Sequence, residues 1–293
     1  MNHKNSEYDV FLPVWDQAEP WFEFAEGQRG TFVGNYPWRI SPLDKKHSVH
    51  EQASTCGAVV SVYKNAIAVG GPVGTREMLF MGILMTMVST LFCFIGVIML
   101  MVFPSGWVSG PPLVLLVLGL YCFSFFIRLS FFNVRDMPVL FNRDSRLICI
   151  SKPKHLSFLK FWEPGGIQEV MTYSWGSIHA RTYKYMQMMG ETSRESYNLT
   201  LLCADQANPR SFKDFTYLGY VETWEDAPLW RLWEHIRRYM EEDGPPLQPG
   251  EMLRTSGFGK LPKFPQHLMD AAGGEALSID EIEKLTDYIQ GAR

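Results

Sequence analysis

Two long apolar runs joined by a short turn-rich link constrain this chain more than any other feature. From Met78 to Phe103 no charged residue occurs, and a second run from Leu113 to Phe132 is interrupted only by Arg128. A helix needs about 20 apolar residues to cross the hydrocarbon core of a bilayer, and both runs reach that length. At a rise of about 1.5 Å per residue the first exceeds the usual apolar thickness, so tilt is expected. A helix in a soluble core rarely stays uncharged for so long. The expectation is a transmembrane hairpin over residues 78–132, with spans at 78–103 and 113–132.

Small residues recur along the first run at Gly82, Thr86, Ser89, Cys93 and Gly96, at helical three- and four-residue spacing. Such a stripe lets two helix backbones approach closely in lipid. Gly119 and Cys122 of the second run offer a facing surface; a second copy of the chain offers another. The link Pro104 to Pro112 holds turn residues, no charge and one interfacial aromatic, Trp107. Lys64 and Arg76 precede the first span, and Arg128, Arg135, Arg143 and Arg146 follow or end the second. Cationic flanks with an uncharged link put both termini in the cytoplasm. Arg128 lies near the cytoplasmic end of its run, where its stem can snorkel to the headgroups. Met1 to Trp15 lacks a cationic stretch followed by an apolar core, so no cleavable signal peptide is expected there.

Outside the hairpin the chain reads as ordinary globular sequence. Its 20% charged content and net charge of -4 give no support for nucleic-acid binding, which leaves a basic patch. The five cysteines are scattered, two of them inside the apolar runs, so neither a disulfide framework nor a zinc site follows. Residues 1–77 form an aromatic-rich N-terminal segment with a strand pair at Ala58–Tyr63 and Ala66–Ala68. Residues 133–246 read as an antiparallel β domain. It opens on a hairpin, Val139–Asn142 with Arg146–Ser151, and strands follow at 167–173, 177–185, 196–203 and 211–218. A helix from about Asp226 to Asp243 carries Leu229, Leu232, Trp233, Ile236 and Met240 on one face, and Gly244-Pro-Pro246 ends it. Residues 247–293 form a tail with a short helix, Ser278 to Gln290, in which Ser278 and Glu281 have capping-box spacing. The fold class is an α+β membrane protein: a transmembrane helical hairpin and a cytoplasmic antiparallel β domain closed by an amphipathic helix. Its element order resembles a pleckstrin-homology fold, an analogy that does not fix function.

Catalytic signatures are missing. No metalloprotease, nucleophile-elbow or complete P-loop motif occurs, and Gly70-Gly-Pro-Val-Gly74-Thr-Arg76 lacks the P-loop lysine. Only His47 and His50 among the seven histidines lie close together, without partners for a metal. Glu241 and Glu242 read as a solvated helix end. No enzyme activity, cofactor or metal is expected. The segment Ser151 to Trp162 interleaves Lys152, Lys154 and Lys160 with aromatics. Lysines so placed can lie on an anionic leaflet, and a solvated connection between strands explains them as well. The membrane-interface residues are therefore Trp107, Arg128, Lys152, Lys154, Lys160 and Trp162. Tyr185 to Met189 reads as a Met-rich loop.

Val60-Ser-Val-Tyr63, Leu140-Phe-Asn-Arg143, Tyr197-Asn-Leu-Thr-Leu201 and the helix Leu229-Trp-Arg-Leu-Trp-Glu-His-Ile-Arg-Arg-Tyr-Met240 carry a resemblance. Over roughly Gly57 to Pro246 the chain resembles an uncharacterised family of bacterial two-helix inner-membrane proteins often encoded beside type VI secretion genes. The resemblance implies a secretion-associated accessory or immunity protein, not an enzyme. Its partner would be an effector toxin or a secretion component, met at the cytoplasmic face or within the bilayer. A rival expectation is a membrane-anchored lipid- or stress-sensing module built on the β domain.

Overall fold

The computed structural model describes residues 19, 21–24, 37–72, 76–103, 106, 109–131, 137–154, 160, 167–189, 192–254 and 263–291. Short β-branched runs separated by turns form most of its strands: β1 (Arg39–Ile40), β2 (Val59–Val62), β3 (Ala66–Val69), β4 (Val139–Asn142), β5 (Leu147–Pro153), β6 (Ile167–Ser174), β7 (Ile178–Met189), β8 (Thr192–Ala204) and β9 (Phe212–Thr223). The helices are α1 (Arg76–Val102), α2 (Gly110–Phe131), α3 (Ala227–Glu241), α4 (Gln266–Ala271) and α5 (Ile279–Gly291). The molecule is α+β, with two antiparallel sheets ordered β2-β3-β4-β5-β6 and β1-β7-β8-β9.

The first sheet is assembled from both sides of the helical hairpin. Val69 at the end of β3 pairs with Val139 at the start of β4, and Ala66 pairs with Asn142. Thus α1 and α2 are an insertion between adjacent strands of one sheet, and the strand pair of the N-terminal segment belongs to the same layer as the strands after the hairpin. Alternation along these strands splits their side chains between two cores. Val59, Ile67, Phe141 and Ile148 join Leu199, Leu201, Trp230, Trp233 and Ile236 between the sheets and α3. Ala66, Ala68, Leu140 and Cys149 point the other way, against Phe264 and Ala272 of the tail. Both faces are covered, so β3 and β4 read as continuous apolar runs.

The tail is bound along its length. Arg254 donates its N–H to Val59 and Leu277 to Val62, extending the β2 edge, and Ile282 of α5 enters the main core. In the capping box, Glu281 accepts from the N–H of Ser278 at 2.8 Å. On the outer face of the second sheet Phe22 covers Tyr183, Leu202 and Ala204. There Arg181 holds Glu19 in a bidentate pair at 3.0 and 2.9 Å, both side chains buried.

Three sequence expectations change here. Tyr185 to Met189 is no loop: β7 continues to Met189, which pairs with Thr192 of β8, because the ladder extends to the end of the hairpin. Ser151 to Pro153 belong to β5 and pair with β6, so the lysine segment begins as strand. Glu241 is not a solvated helix end. It accepts from Trp175 Nε1 at 2.5 Å and from Arg146 at 2.7 Å, and α3 docks on the β4–β5 turn through it.

Candidate functional site

Helices α1 and α2 pack through the small-residue stripe. Of the stripe, Gly82, Ser89 and Gly96 are buried and Thr86 and Cys93 half-buried, whereas most of the intervening side chains are exposed. A Cβ built on Gly82 would lie 2.0 Å from Ser130 Oγ, and one on Gly96 would lie 3.1 Å from the backbone nitrogen of Leu116. From the other side, a Cβ on Gly119 would meet Cys93 Sγ at 2.8 Å and its nitrogen at 3.1 Å. These glycines set the separation of the two helices, and the stripe faces α2 of the same chain. The hydroxyls turn inward as well: Ser89 donates to Met85 O and Ser130 to Phe126 O, which leaves no hydroxyl facing outward in the seam. Outside it Phe80, Met87, Phe94, Met101 and Val114 lie open. Gly82–Val102 and Gly110–Phe131 are each long and apolar enough to cross a membrane.

Both helices join the body at one end of the first sheet, and the second sheet lies across that end. Its edge strand β9 runs over the strand termini in turn. Asp214 pairs with Lys152 of β5 at 2.7 Å. Gly219 then donates to the carbonyl of Gly70, just past β3. The Tyr220 hydroxyl donates to Gly57, just before β2, at 3.0 Å. Antiparallel sheet keeps to this route because Gly219 has φ +70° and packs on Leu232, a position where a side chain would clash.

Of the interface residues expected from sequence, Lys152 and Lys154 fall at this end, where β5 runs past the level of Val139. Lys152 is half-exposed and held by Asp214; Lys160 is exposed. Arg128 is half-buried in the last turn of α2. Trp107 and Trp162 lie outside the described residues.

The same end carries a feature that sequence reading missed. An open depression of about 400 Å³ is lined by Gly57, Tyr220, Glu251, Met252, Leu253 and Arg254. Arg254 spans it, donating to Gly71 O at 3.1 Å and stacking 4.4 Å over the Tyr220 ring. Burial alone would raise the Glu251 pKa, but the Ser54 hydroxyl and Thr55 donors reverse this and keep its carboxyl below the ordinary range. Met252 is 81% exposed, and Trp224, just after β9, is 86% exposed. Lone apolar residues in polar loops carry no periodic signal, so only the fold reveals their exposure.

Elsewhere in the body the chemistry is structural. Glu234, fully buried on α3, accepts from Ser48 Oγ and Val49 N–H and from the guanidiniums of Arg237 and Arg238. Burial opposes its charge, but Arg237, the Val49 N–H and Arg238 outweigh that and lower its pKa. His235 is neutral and buried, between Pro246 O and Gln248, its pKa pushed down to about 4 by burial. Lys45 donates to Trp175 O and sits over the Trp175 ring; burial lowers its pKa to about 7, opposed by Glu241. His47 pairs with Asp44, and His50 Nδ1 accepts from Gln52 N–H. Among the described residues no three His, Cys, Asp or Glu side chains are grouped to hold a metal ion.

No curated protein and no solved structure matches the chain. A family model matches residues 116–268, from mid-α2 through β4 to β9 and α3 into α4, just over half of the sequence. On that match the chain belongs to a family of unknown function, DUF6708.

Proposed function

We propose that the chain is a multi-pass protein of a bacterial inner membrane, non-enzymatic, that binds a protein partner. The β body stands on the cytoplasmic side with both termini, and the hairpin crosses the bilayer. The observation that carries this reading is the insertion of two apolar helices between the paired strands β3 and β4. Paired strands share one compartment, so a hairpin that spans must return the chain to the side it left. Cationic flanks at Lys64, Arg143 and Arg146 support the cytoplasm as that side. A five-stranded and a four-stranded antiparallel sheet followed by the closing helix α3 support a variant of the pleckstrin-homology arrangement. The partner, on the resemblance drawn from the helix Leu229–Met240, is a type VI secretion effector or component, and the protein an accessory or immunity factor.

The test is accessibility in intact cells. Gly106→Cys in the link should react with an impermeant maleimide from the periplasm, and Asp144→Cys in the β4–β5 turn only after permeabilisation. Equal labelling of both, or alkaline extraction of the protein from membranes, would sink the topology. Co-purification with a neighbouring effector in mild detergent tests the partner.

A second reading, a lipid-sensing module, is favoured by one observation: Lys152 and Lys154 share the end of the body from which the helices leave. Binding of the detergent-free protein to anionic over neutral bilayers would support it.

A further inference from the structure

Among the described residues outside the helices, the two most exposed large apolar side chains are Trp224 at 86% and Met252 at 81%. Both belong to segments that touch the Cys56–Gly57 turn, at the end of the β body that carries the hairpin. Trp224 is bracketed by Tyr220, whose hydroxyl reaches Gly57 O, and by Pro228, whose carbonyl accepts from Cys56 Sγ. Met252 lines the depression formed by Gly57 and Tyr220. The adjoining Arg254 binds Gly71 O, a few residues before α1 begins at Arg76. The depression that Met252 lines thus adjoins the stretch, Gly70–Gly71, from which the chain passes to the first helix.

Trp224 is also held in an unusual backbone state, with φ 82°. A bulky residue in the left-handed region is uncommon and persists where its surroundings fix it. Asp226 supplies that fixing: it accepts from Thr182 Oγ1 and Trp230 Nε1 and pairs with Arg39. An indole kept in water by a strained, well-anchored turn calls for an occupant.

We propose that this end of the body rests on the bilayer surface, with Trp224 and Met252 inserted at the depth of the lipid headgroups. The inference rests on the reading that the hairpin spans the membrane. Three observations select lipid as the occupant over a protein. The chain passes to the first helix from Gly70–Gly71, which Gly219 and Arg254 bind, so on the spanning reading the bilayer surface is the apolar boundary nearest this end. Tryptophan prefers that boundary, its ring apolar and its N–H able to hydrogen-bond. At the other end of β9, Lys152, half-exposed beside Asp214, and the adjoining Lys154 provide cationic contacts suited to phosphate headgroups. From Asp214 to Tyr220, β9 runs about 20 Å at roughly 3.3 Å per residue, so the two contacts would hold the body flat, as two feet.

The experiment uses the full chain in phosphatidylcholine nanodiscs, with and without brominated acyl chains. The fluorescence difference between the native protein and Trp224→Phe isolates the emission of this one indole. Quenching of that component by brominated lipid, with loss of its iodide accessibility relative to detergent, is the expected result. A second reporter, Met252→Trp in the Trp224→Phe background, should be quenched likewise; both positions are exposed, so neither change threatens the fold. A Trp224 component that brominated lipid leaves unquenched and iodide still reaches would overturn the proposal, leaving the surface open to a protein partner. Failure to enter nanodiscs at all would overturn the spanning reading and this one with it. Entry without quenching would overturn this one alone.

Discussion

Single residues carry the two sharpest energetic commitments of this structure. Gly119 meets Cys93 backbone and sulfur so closely that a larger side chain must push α1 and α2 apart. Gly119→Ile should lower stability by about 1–3 kcal/mol, the usual cost of overpacking, seen as a fall in the melting temperature in mild detergent. Gly110, with open space around its Cβ, should tolerate alanine. Glu234 is the counterpart in the β body. Glu234→Ala would leave the Arg237 guanidinium buried beside Lys45 O without its main carboxylate, and breaking such a pair costs about 3–5 kcal/mol. His235 adds a pH dependence. Its folded pKa, about 4, lies below the ordinary value of 6.5, so the unfolded chain binds the extra proton between the two. Stability is then full above pH 6.5 and falls as the pH drops toward 4. Urea midpoints across that window should show the slope, and His235→Gln should flatten it; His179, lowered to about 3 by burial, contributes in the same direction.

At the scale of elements, the seam between α1 and α2 can be read directly. Gly119→Cys brings a thiol within reach of Cys93 Sγ, so mild oxidation should cross-link the helices within one chain. A disulfide-linked dimer on a non-reducing gel would instead put the stripe between two copies. The elements themselves were largely legible in sequence. β-Branched runs marked β2 to β5, the apolar period marked α3, and the absence of charge marked the hairpin. What was not legible is how they share partners. The charges Glu234, Arg237 and Arg238 of α3 show no partner in sequence; the chain before the hairpin covers that face and binds each charge. Strand β1, only Arg39–Ile40, pairs with β7 and is too short to show a period. Helix α4 was missed for the same reason, and Trp224 and Met252 have no pattern at all.

For the whole molecule, the pairing of Val69 with Val139 makes the hairpin separable. Replacing residues 73–136 by a short Gly-rich turn would leave β3 and β4 joined as an ordinary β-hairpin. The shortened protein should be water-soluble, monodisperse by size-exclusion chromatography and cooperative in unfolding, because its core lies between the sheets and α3, away from α1 and α2. Aggregation, or loss of the β signal in circular dichroism, would mean that the body depends on the helices.

That same pairing governs how the chain is made. Strands β2 and β3 leave the ribosome early and must wait, one edge bare, while the hairpin is synthesised; at about 5–20 residues per second the delay lasts seconds. If only one of the two helices entered the bilayer, β3 and β4 would be stranded in different compartments and the sheet could not close. On the proposed spanning topology, closure of the sheet would therefore act as a checkpoint on insertion: a hairpin threaded wrongly would leave an unpaired, apolar edge, and only the correct topology would give a folded body.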